Sequence, residues 1–318
     1  MTIARRESTN DGGIAIDVHR ARLAATYSIV ARDPETGELG VAVQSNYFSV
    51  GTEVSWAEPG VGAIATQSIV EVSYGPKGLE LLAGGLPAQE ALERLVAQDP
   101  GAPLRQVGIV DSAGRVAAHT GSACVSACAH AFGDGYCVQG NMLASNAVWE
   151  AMGPAFEQAE GDLAERLMAA LEAAERAGGD VRGRQSAALL VVSGERPENP
   201  WEGRRIDLHV EDDPSPLEEL RRLLTIRRAY TLFERARAKI GSGDVDGALE
   251  LVTTARKLHP ENVQFAFWTG VALANAGRGP EARHWLNEAF AAAETWRELA
   301  RRLCDVGIYT GDPDLIDS

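Results

Sequence analysis

Thr26 is a candidate catalytic residue, because it is the first residue of a stretch of strand-forming residues. That stretch, Thr26–Ser45, reads TYSIVARDPETGELGVAVQS. If Thr26 were the first residue of the mature chain, its α-amine, which titrates at about pH 8, could accept the proton of its own hydroxyl group. One residue would then supply both nucleophile and general base. The alternative is a plain strand former; Ser28 faces the same way but lacks a free amine.

Two further polar positions could stabilise or orient a reacting group. Gly140 and Asn141 could form an oxyanion hole, in which a backbone N–H group and the Asn amide point at the developing negative charge. A β-bulge or turn after a strand explains the pair equally well. Gln67, at the end of a glycine-rich strand, could orient substrate, although we favour its interpretation as a capping polar residue.

A charged turn precedes the most apolar predicted strand of the chain. It contains Asp180, Arg182 and Arg184. A guanidinium group presents a planar fork that matches a carboxylate, so this turn could bind an acidic or carboxylate-bearing substrate. The alternative is an Asp–Arg network that only holds the turn.

Three cysteines and a histidine lie close together in sequence, with the pattern C-x3-C-x-H-x6-C. They are Cys124, Cys128, His130 and Cys137. Soft ligands at short spacing are typical of zinc sites. However, the spacing is not that of a usual zinc ribbon, Cys137 falls within a predicted strand, and free Cys is commonly buried. We therefore predict no metal and no cofactor.

Two other histidines, His119 and His209, fall in apolar strands. We interpret them as core or edge residues and not as catalysts.

The element that would position Thr26 is a β-hairpin. Apolar and small residues alternate along both arms, and the segment 33–38 (DPETGE) joins them. Pro34 presets φ for a turn, and Gly37 can take a positive φ without steric cost. Because both faces are mostly apolar or small, the hairpin is expected inside a layered protein.

Further strands and helix pairs follow the hairpin. Strands are predicted over 60–68, 105–111, 115–120, 136–143, 185–193 and 205–210, and two helix pairs over about 74–99 and 145–177. Helix pairs that interrupt runs of antiparallel strands indicate stacked sheets with helices outside. The predicted fold class is α+β, a four-layer α-β-β-α sandwich.

A 34-residue repeat follows an acidic, Pro-rich linker at 211–216. The positions Gly243, Ala248, Val252 and Ala255 recur as Gly277, Ala282, Leu286 and Ala289. This period with small residues at a helix crossing is typical of tetratricopeptide repeats, although an ordinary helical bundle is the alternative. The predicted domains are a disordered or removed leader (1–25), the sandwich (26–215) and an all-α helical-repeat domain (216–318).

Composition excludes several classes of function. The chain has 318 residues, 45% hydrophobic and 24% charged, with a net charge of −15. Such an acidic protein is a poor partner for nucleic acid or an anionic membrane. The sequence has no apolar run near the roughly 20 residues of a membrane helix and no secretory signal, and its few cysteines do not make a disulfide scaffold. A cytoplasmic location is expected.

Six short blocks between residues 26 and 188 together carry a family resemblance. They are 26–33 (TYSIVARD), 40–45 (GVAVQS), 60–63 with 65–67 (GVGA, ATQ), 74–76 (YGP), 139–141 (QGN), and 178–180 with 182–188 (GGD, RGRQSAA). In this order they resemble a family of N-terminal-nucleophile (Ntn) hydrolases usually labelled only as a domain of unknown function. The resemblance covers about residues 26–225, and its last block is the most distinctive.

The resemblance implies an α-β-β-α sandwich and hydrolysis of an amide-type bond, with Thr26 as nucleophile. It also places Ser45 and Gln185 beside Gln67, Asp180, Arg182 and Arg184 as residues expected to bind substrate. Family members often carry Met directly before the equivalent Thr, so that removal of Met frees the amine. Here 25 residues precede Thr26. Either they are cleaved off, or the start lies too far upstream, or this copy is inactive.

Two classes of function follow from these observations. The first is an Ntn-type amidohydrolase that acts on a small amide substrate, which could carry a carboxylate. The second is a non-catalytic binding or scaffold protein that docks a protein partner through the helical repeats. A homo-oligomer is compatible with either, and neither nucleic acid nor a membrane is expected as a partner.

Overall fold

The structure is a computed structural model of the chain and describes residues 23–24 and 26–317. The leader predicted over residues 1–25 therefore falls almost entirely outside the described residues. The chain divides into two compact units, one ending at Arg221 and one beginning at Arg222.

The N-terminal unit contains the strands together with helices, and the C-terminal unit is helical. The strands are β1 (Leu23–Ala24), β2 (Thr26–Arg32), β3 (Leu39–Ser45), β4 (Ser55–Glu58), β5 (Gly62–Ile69), β6 (Arg105–Asp111), β7 (Val116–Thr120), β8 (Ala129–Gly133), β9 (Tyr136–Asn141), β10 (Ser186–Val192) and β11 (Arg204–Val210). The helices are α1 (Gly51–Val54), α2 (Tyr74–Ala83), α3 (Ala88–Ala97), α4 (Ala147–Gln158), α5 (Leu163–Arg176), α6 (Pro216–Gly241), α7 (Val245–Leu258), α8 (Val263–Asn275), α9 (Gly279–Ala292), α10 (Glu294–Asp305) and α11 (Asp314–Asp317). None of the described helices combines the length and apolar composition needed to cross a bilayer.

Two antiparallel sheets make up the centre of the N-terminal unit. The first has the order β1-β5-β6-β7, with β4 also paired to β5, and the second has the order β11-β10-β3-β2-β9-β8. Together with the helical C-terminal unit, they confirm a mixed α/β fold with a separate all-α region. The Ntn-hydrolase-like layering is a finer statement and stays a prediction.

The predicted hairpin is confirmed as β2 and β3, which pair from Thr26 opposite Ser45 to Arg32 opposite Leu39. The turn between them forms because Asp33 Oδ1 accepts hydrogen bonds from the backbone N–H groups of Glu35 and Thr36, at 2.9 and 2.8 Å. Gly37 completes the turn with a φ of +73°.

An apolar cluster lies between the two sheets. It contains Val30, Val41 and Val43 from the hairpin, Ala63 and Ala65 from β5, and Ala188 and Leu190 from β10. On its other face the first sheet contacts α2 and α3, and the second sheet contacts α4 and α5. Because helices and sheets bury opposite faces of every central strand, these strands are apolar on both sides.

Three short strands, β1, β4 and β8, were not predicted from the sequence. β1 lies within the segment 1–25 that was predicted to be a disordered or removed leader. The strands β4 and β8 are only partly buried. They form because β5 and β9 offer them an edge for pairing, and this long-range cause leaves little pattern in the local sequence.

The C-terminal unit confirms the predicted recurrence. Gly243 lies between α6 and α7 with a φ of +88°, and Gly277 lies between α8 and α9 with a φ of +75°. The apolar positions of both repeats are buried, as are Phe265 and Phe267 of α8. The helix α10 follows the second repeat.

The crossing of α8 and α9 gives the first testable prediction. A Cβ atom on Gly270 would lie 2.7 Å from Leu286 Cγ and 3.0 Å from Leu286 N, whereas nothing lies within 4 Å of one on Gly241. We expect Gly270→Ala to lower the free energy of unfolding by about 1–3 kcal/mol because it overpacks this contact. The matched control Gly241→Ala should leave it unchanged or raise it slightly. Urea denaturation followed by circular dichroism measures both, and equal effects would contradict the packing described here.

Candidate active site between the two sheets

The register of the second sheet places four polar residues side by side. Ser186, Ser45, Thr26 and Asn141 are mutual Cα partners on β10, β3, β2 and β9. All four are fully buried. Because cross-strand partners share a face of the sheet, their side chains form one row. Within it, Thr26 Oγ1 donates a hydrogen bond to Ser45 Oγ at 3.2 Å.

A second row faces the first from the other sheet. Gln67, Gln106 and Thr120 are partners on β5, β6 and β7. Gln67 Nε2 donates to the carbonyl oxygen of Thr26 at 3.2 Å, and Gln67 Oε1 accepts from Ser28 Oγ at 2.6 Å. We call the set of Thr26, Ser28, Ser45, Gln67, Gln106, Gln139 and Asn141 the polar seam.

Gln106 is the central residue of the polar seam, and sequence reasoning missed it. Its Nε2 donates to Gly140 O at 2.9 Å and to Ala129 O at 3.0 Å, and its Oε1 accepts from Gln67 Nε2 at 2.8 Å and Asn141 Nδ2 at 3.0 Å. The only signal in the sequence was a Gln at an inward-facing position of an otherwise apolar strand, and such a residue needs buried partners.

Backbone strain marks the same end of both sheets. Ser68 has a φ of +75° and Met142 a φ of +50°, and these residues directly follow Gln67 and Asn141. A positive φ in residues other than glycine is uncommon, and such strain concentrates at functional sites. The strain therefore supports, independently of the hydrogen bonds, a functional role for this end of the seam.

The predicted oxyanion pair lies directly beside Thr26. Gly140 is paired with Tyr27 on one side and Ala129 on the other. Asn141 Nδ2 donates one hydrogen to Gln106 Oε1, which leaves its second amide hydrogen for another acceptor. Of the two groups predicted, the Asn141 amide thus has the capacity to meet a developing negative charge.

The predicted Asp180–Arg182 turn lies at the same end of the sheet but is internally paired. Arg182 Nη2 lies 3.0 Å from Asp180 Oδ2, and the same oxygen accepts from the backbone N–H group of Asn46 at 3.0 Å. Asp180 is 5% exposed. These contacts favour a role in holding the turn against the loop after β3.

Arg184 and Gln185 also face protein groups. Arg184 Nε lies 2.8 Å from Glu175 Oε1, and Gln185 Nε2 donates to Asp212 Oδ1 at 3.1 Å. Glu175 in addition accepts a hydrogen bond from the Tyr27 hydroxyl group at 2.6 Å. Burial, together with the charge of Glu175, raises the pKa of Tyr27, so this phenol stays protonated.

The cysteines and the histidine of the C-x3-C-x-H-x6-C pattern do not come together as a set of metal ligands among the described residues. Cys137 is fully buried in the apolar cluster between the sheets, and burial raises the pKa of its thiol. The described residues contain no group of three or more His, Cys, Asp or Glu side chains that could hold a metal ion. His130 Nδ1 instead lies 2.8 Å from Thr120 Oγ1, and burial, followed by the nearby His119, lowers the pKa of His130.

The two histidines that were predicted to be core or edge residues, His119 and His209, have structural partners. His119 Nε2 lies 2.8 Å from Ala102 O. His209, on the edge strand β11, lies 2.9 Å from Asp207 Oδ1. Neither residue belongs to the polar seam.

The chain enters the seam from the first sheet. Ala24 in β1 pairs with Ser68 of β5, whereas Thr26 already belongs to the second sheet. In this form Thr26 is fully buried and its nitrogen is part of a peptide bond. Because an amide nitrogen is not a base, this form has the hydroxyl group of a nucleophile but not the free amine.

Comparison with known proteins identifies the family of the N-terminal unit. Residues 26–220 match the model of a family described as a family of unknown function, DUF1028. The chain belongs to this family. A crystal structure of a DUF1028 protein from Silicibacter pomeroyi is 33% identical, with a TM-score of 0.57, and the match covers 63% of this chain and 84% of that one.

The C-terminal unit matches a different family. Residues 233–295 match a tetratricopeptide repeat model, which confirms the repeat predicted from the 34-residue period. None of the proteins with curated functions that were compared matches the chain.

The role of Gln106 in holding the seam gives a prediction about stability. Gln106→Met removes a donor to two carbonyl oxygens and an acceptor for two amides, and each buried polar group left unpaired costs about 1–3 kcal/mol. We expect a loss of at least about 3 kcal/mol in the free energy of unfolding. The control Gln139→Met removes two donated bonds and should cost clearly less. A urea titration of both variants checks the order, and the reverse order would be evidence against a central role.

The cysteine geometry gives a prediction about metal content. Elemental analysis of protein purified without added metal should find far less than one zinc ion per chain, because Cys137 lies inside the apolar cluster. Stoichiometric zinc that disappears in Cys124→Ser would show instead that these cysteines form a structural metal site.

Proposed function

We propose that the N-terminal unit is an Ntn-type amidohydrolase with Thr26 as nucleophile. The observation that carries the proposal is the row in which Thr26 lies in register with Ser45 and Asn141, at the strained end of a buried polar seam. A plain strand threonine needs none of these neighbours. The two stacked sheets with helices on their outer faces also fit the α-β-β-α layering that the family resemblance implies.

The proposed reaction begins once residues 1–25 are removed and Thr26 has a free α-amine. The amine accepts the proton of Oγ1, and the oxygen attacks the carbonyl carbon of the substrate amide. The second Asn141 amide hydrogen faces the developing oxyanion. The leaving amine departs with the proton, an acyl ester remains on Thr26, and water hydrolyses it in a second step. Ser45, which accepts from Thr26 Oγ1, orients the nucleophile.

The substrate class is a small molecule with an amide-type bond. We do not propose a carboxylate group on the substrate, because the guanidinium groups of Arg182 and Arg184 already pair with Asp180 and Glu175. Gln67 donates its two amide hydrogens to Thr26 O and Gln106 Oε1, so its contacts favour a role in positioning Thr26.

A non-catalytic binding function is the second candidate, and the tetratricopeptide match favours it. The C-terminal unit has a groove of about 700 Å³ that is lined in part by Arg237, Trp268 and Ile308. Such a groove suits a peptide with apolar side chains. One chain can contain both a binding module and a catalytic unit. Labelling of Thr26 therefore decides whether the N-terminal unit is catalytic, whatever the C-terminal unit binds.

The proposal predicts covalent labelling at Thr26. A β-lactone, a strained cyclic ester that acylates nucleophilic hydroxyl groups, should add once to protein whose intact mass shows Thr26 as first residue. Thr26→Ala should abolish the adduct with the fold intact, whereas Thr26→Ser, which keeps hydroxyl and amine, should retain part of the rate. The control Thr254→Ala changes an exposed threonine of the C-terminal unit and should label like the wild type.

The opposite labelling result would contradict the proposal. If the protein keeps residues 1–25 and Thr26→Ala is labelled as fast as the wild type, Thr26 is a structural residue. The proposed hydrolase activity of this chain would then be wrong.

A further inference from the structure

Three backbone carbonyl groups fix the direction of the amides in the polar seam. Gln106 places one terminal atom 2.9 Å from Gly140 O and 3.0 Å from Ala129 O. Carbonyl oxygens only accept hydrogen bonds, so this atom must be the amide nitrogen. The same reasoning fixes Gln139, whose Nε2 lies 2.9 Å from Ala65 O.

The orientation of Gln106 determines that of Asn141. The other terminal atom of Gln106 is Oε1, which can only accept, so the Asn141 atom 3.0 Å away must be Nδ2. Asn141 Oδ1 is therefore turned away from Gln106. This oxygen is buried and has no hydrogen-bond partner within the part of the chain that the structure describes.

The unpaired oxygen lies next to the proposed nucleophile. Asn141 is the Cα partner of Thr26 across the β2–β9 pair, and Asn141 is 0% exposed. Partners in antiparallel strands have Cα atoms about 4.5–5.5 Å apart, so Thr26 is an immediate neighbour of this acceptor. A buried carbonyl oxygen without a donor is costly, which indicates that the seam keeps it for a donor that arrives later.

We infer that Asn141 Oδ1 holds the α-amine of Thr26 once that amine is free, which makes Asn141 a positioning residue for the general base. The inference rests on the proposed function. A neutral amine has two N–H donors and one lone pair. When one N–H group donates to Asn141 Oδ1, the rotation of the amine is restricted and its lone pair can be directed at Oγ1 of the same residue. Gln106 acts through Asn141, because it keeps the amide from turning over.

Variants of Asn141 should shift the pKa of the Thr26 amine in a predictable direction. A hydrogen-bond acceptor favours the charged ammonium form and so raises the pKa of the amine, and a carboxylate raises it further. Asn141→Ala should therefore lower the pKa of the Thr26 amine relative to wild type. Asn141→Asp should raise it. Both variants lose the amide hydrogens of Asn141, so the loss of an oxyanion donor should slow both. That loss is the same in the two variants and therefore cannot shift the pKa of the amine in opposite directions.

The experiment measures the rate of β-lactone labelling against pH for protein produced from the full chain. Intact mass gives the adduct, and the midpoint of the rate profile gives the pKa of the amine. In Asn141→Ala the midpoint should move down and the plateau rate should fall about tenfold or more, because a well-positioned general base contributes about 10²–10⁴-fold to the rate. In Asn141→Asp the midpoint should move up. The control Thr254→Ala, which changes an exposed threonine of the C-terminal unit, should keep the wild-type midpoint.

The outcomes separate this inference from the proposed function. If wild-type protein labels at Thr26 but both Asn141 variants keep its midpoint, the inference is overturned and the hydrolase proposal stands. If wild-type protein does not label at Thr26, the proposed function fails and the positioning role fails with it. Thermal unfolding of each variant establishes that it is folded before its profile is compared.

Discussion

The need to pair buried amides between two apolar sheets is the constraint on which the N-terminal unit depends. Gln106 meets it with bonds to both sheets, and the other amides of the seam follow its orientation. The apolar cluster alone would tolerate a shift of a strand by two residues, because inward-facing positions would stay inward. The polar seam would not, since such a shift would separate Thr26 from Ser45 and Asn141. The seam thus selects the one register in which the candidate site exists.

The same burial explains why the described form is closed. Thr26, Ser45, Gln67 and Asn141 are all fully buried, and the chain before Thr26 continues into an edge strand of the opposite sheet. A substrate amide could not reach Oγ1 in this form, and Thr26 has no free amine to act as base. Removal of the preceding residues would supply the amine and would free the edge of β5 beside Ser68. Removal of these residues would therefore both activate Thr26 and open the site.

Local pattern predicted the elements whose causes are local. Alternation predicted the β2–β3 hairpin, Pro34 and Gly37 predicted its turn, and the 34-residue period predicted the equivalent positions of Gly243 and Gly277. The strands β4 and β8 were missed because pairing with distant strands stabilises them.

Of the seven residues of the polar seam, only Gln106 and Gln139 were not singled out from the sequence. Thr26, Gln67 and Asn141 stood out as polar residues at strand ends. The central role of Gln106 could be recognised only when β6 was placed between β5 and β7. For Arg182 and Arg184 the sequence left two interpretations open, a carboxylate ligand or an Asp–Arg network. The structure pairs Arg182 with Asp180 and Arg184 with Glu175, which favours the network.

Periodate oxidation tests the central claim most directly. Periodate cleaves the amino alcohol of an N-terminal threonine and leaves a glyoxylyl group, whereas a threonine within the chain is inert because its nitrogen is an amide. Peptide mapping of the purified protein after brief periodate treatment should find the peptide that begins at Thr26 converted to its glyoxylyl form. If the peptide that contains Thr26 still carries the preceding residues and is unchanged by periodate, Thr26 is not an N-terminal nucleophile in this protein.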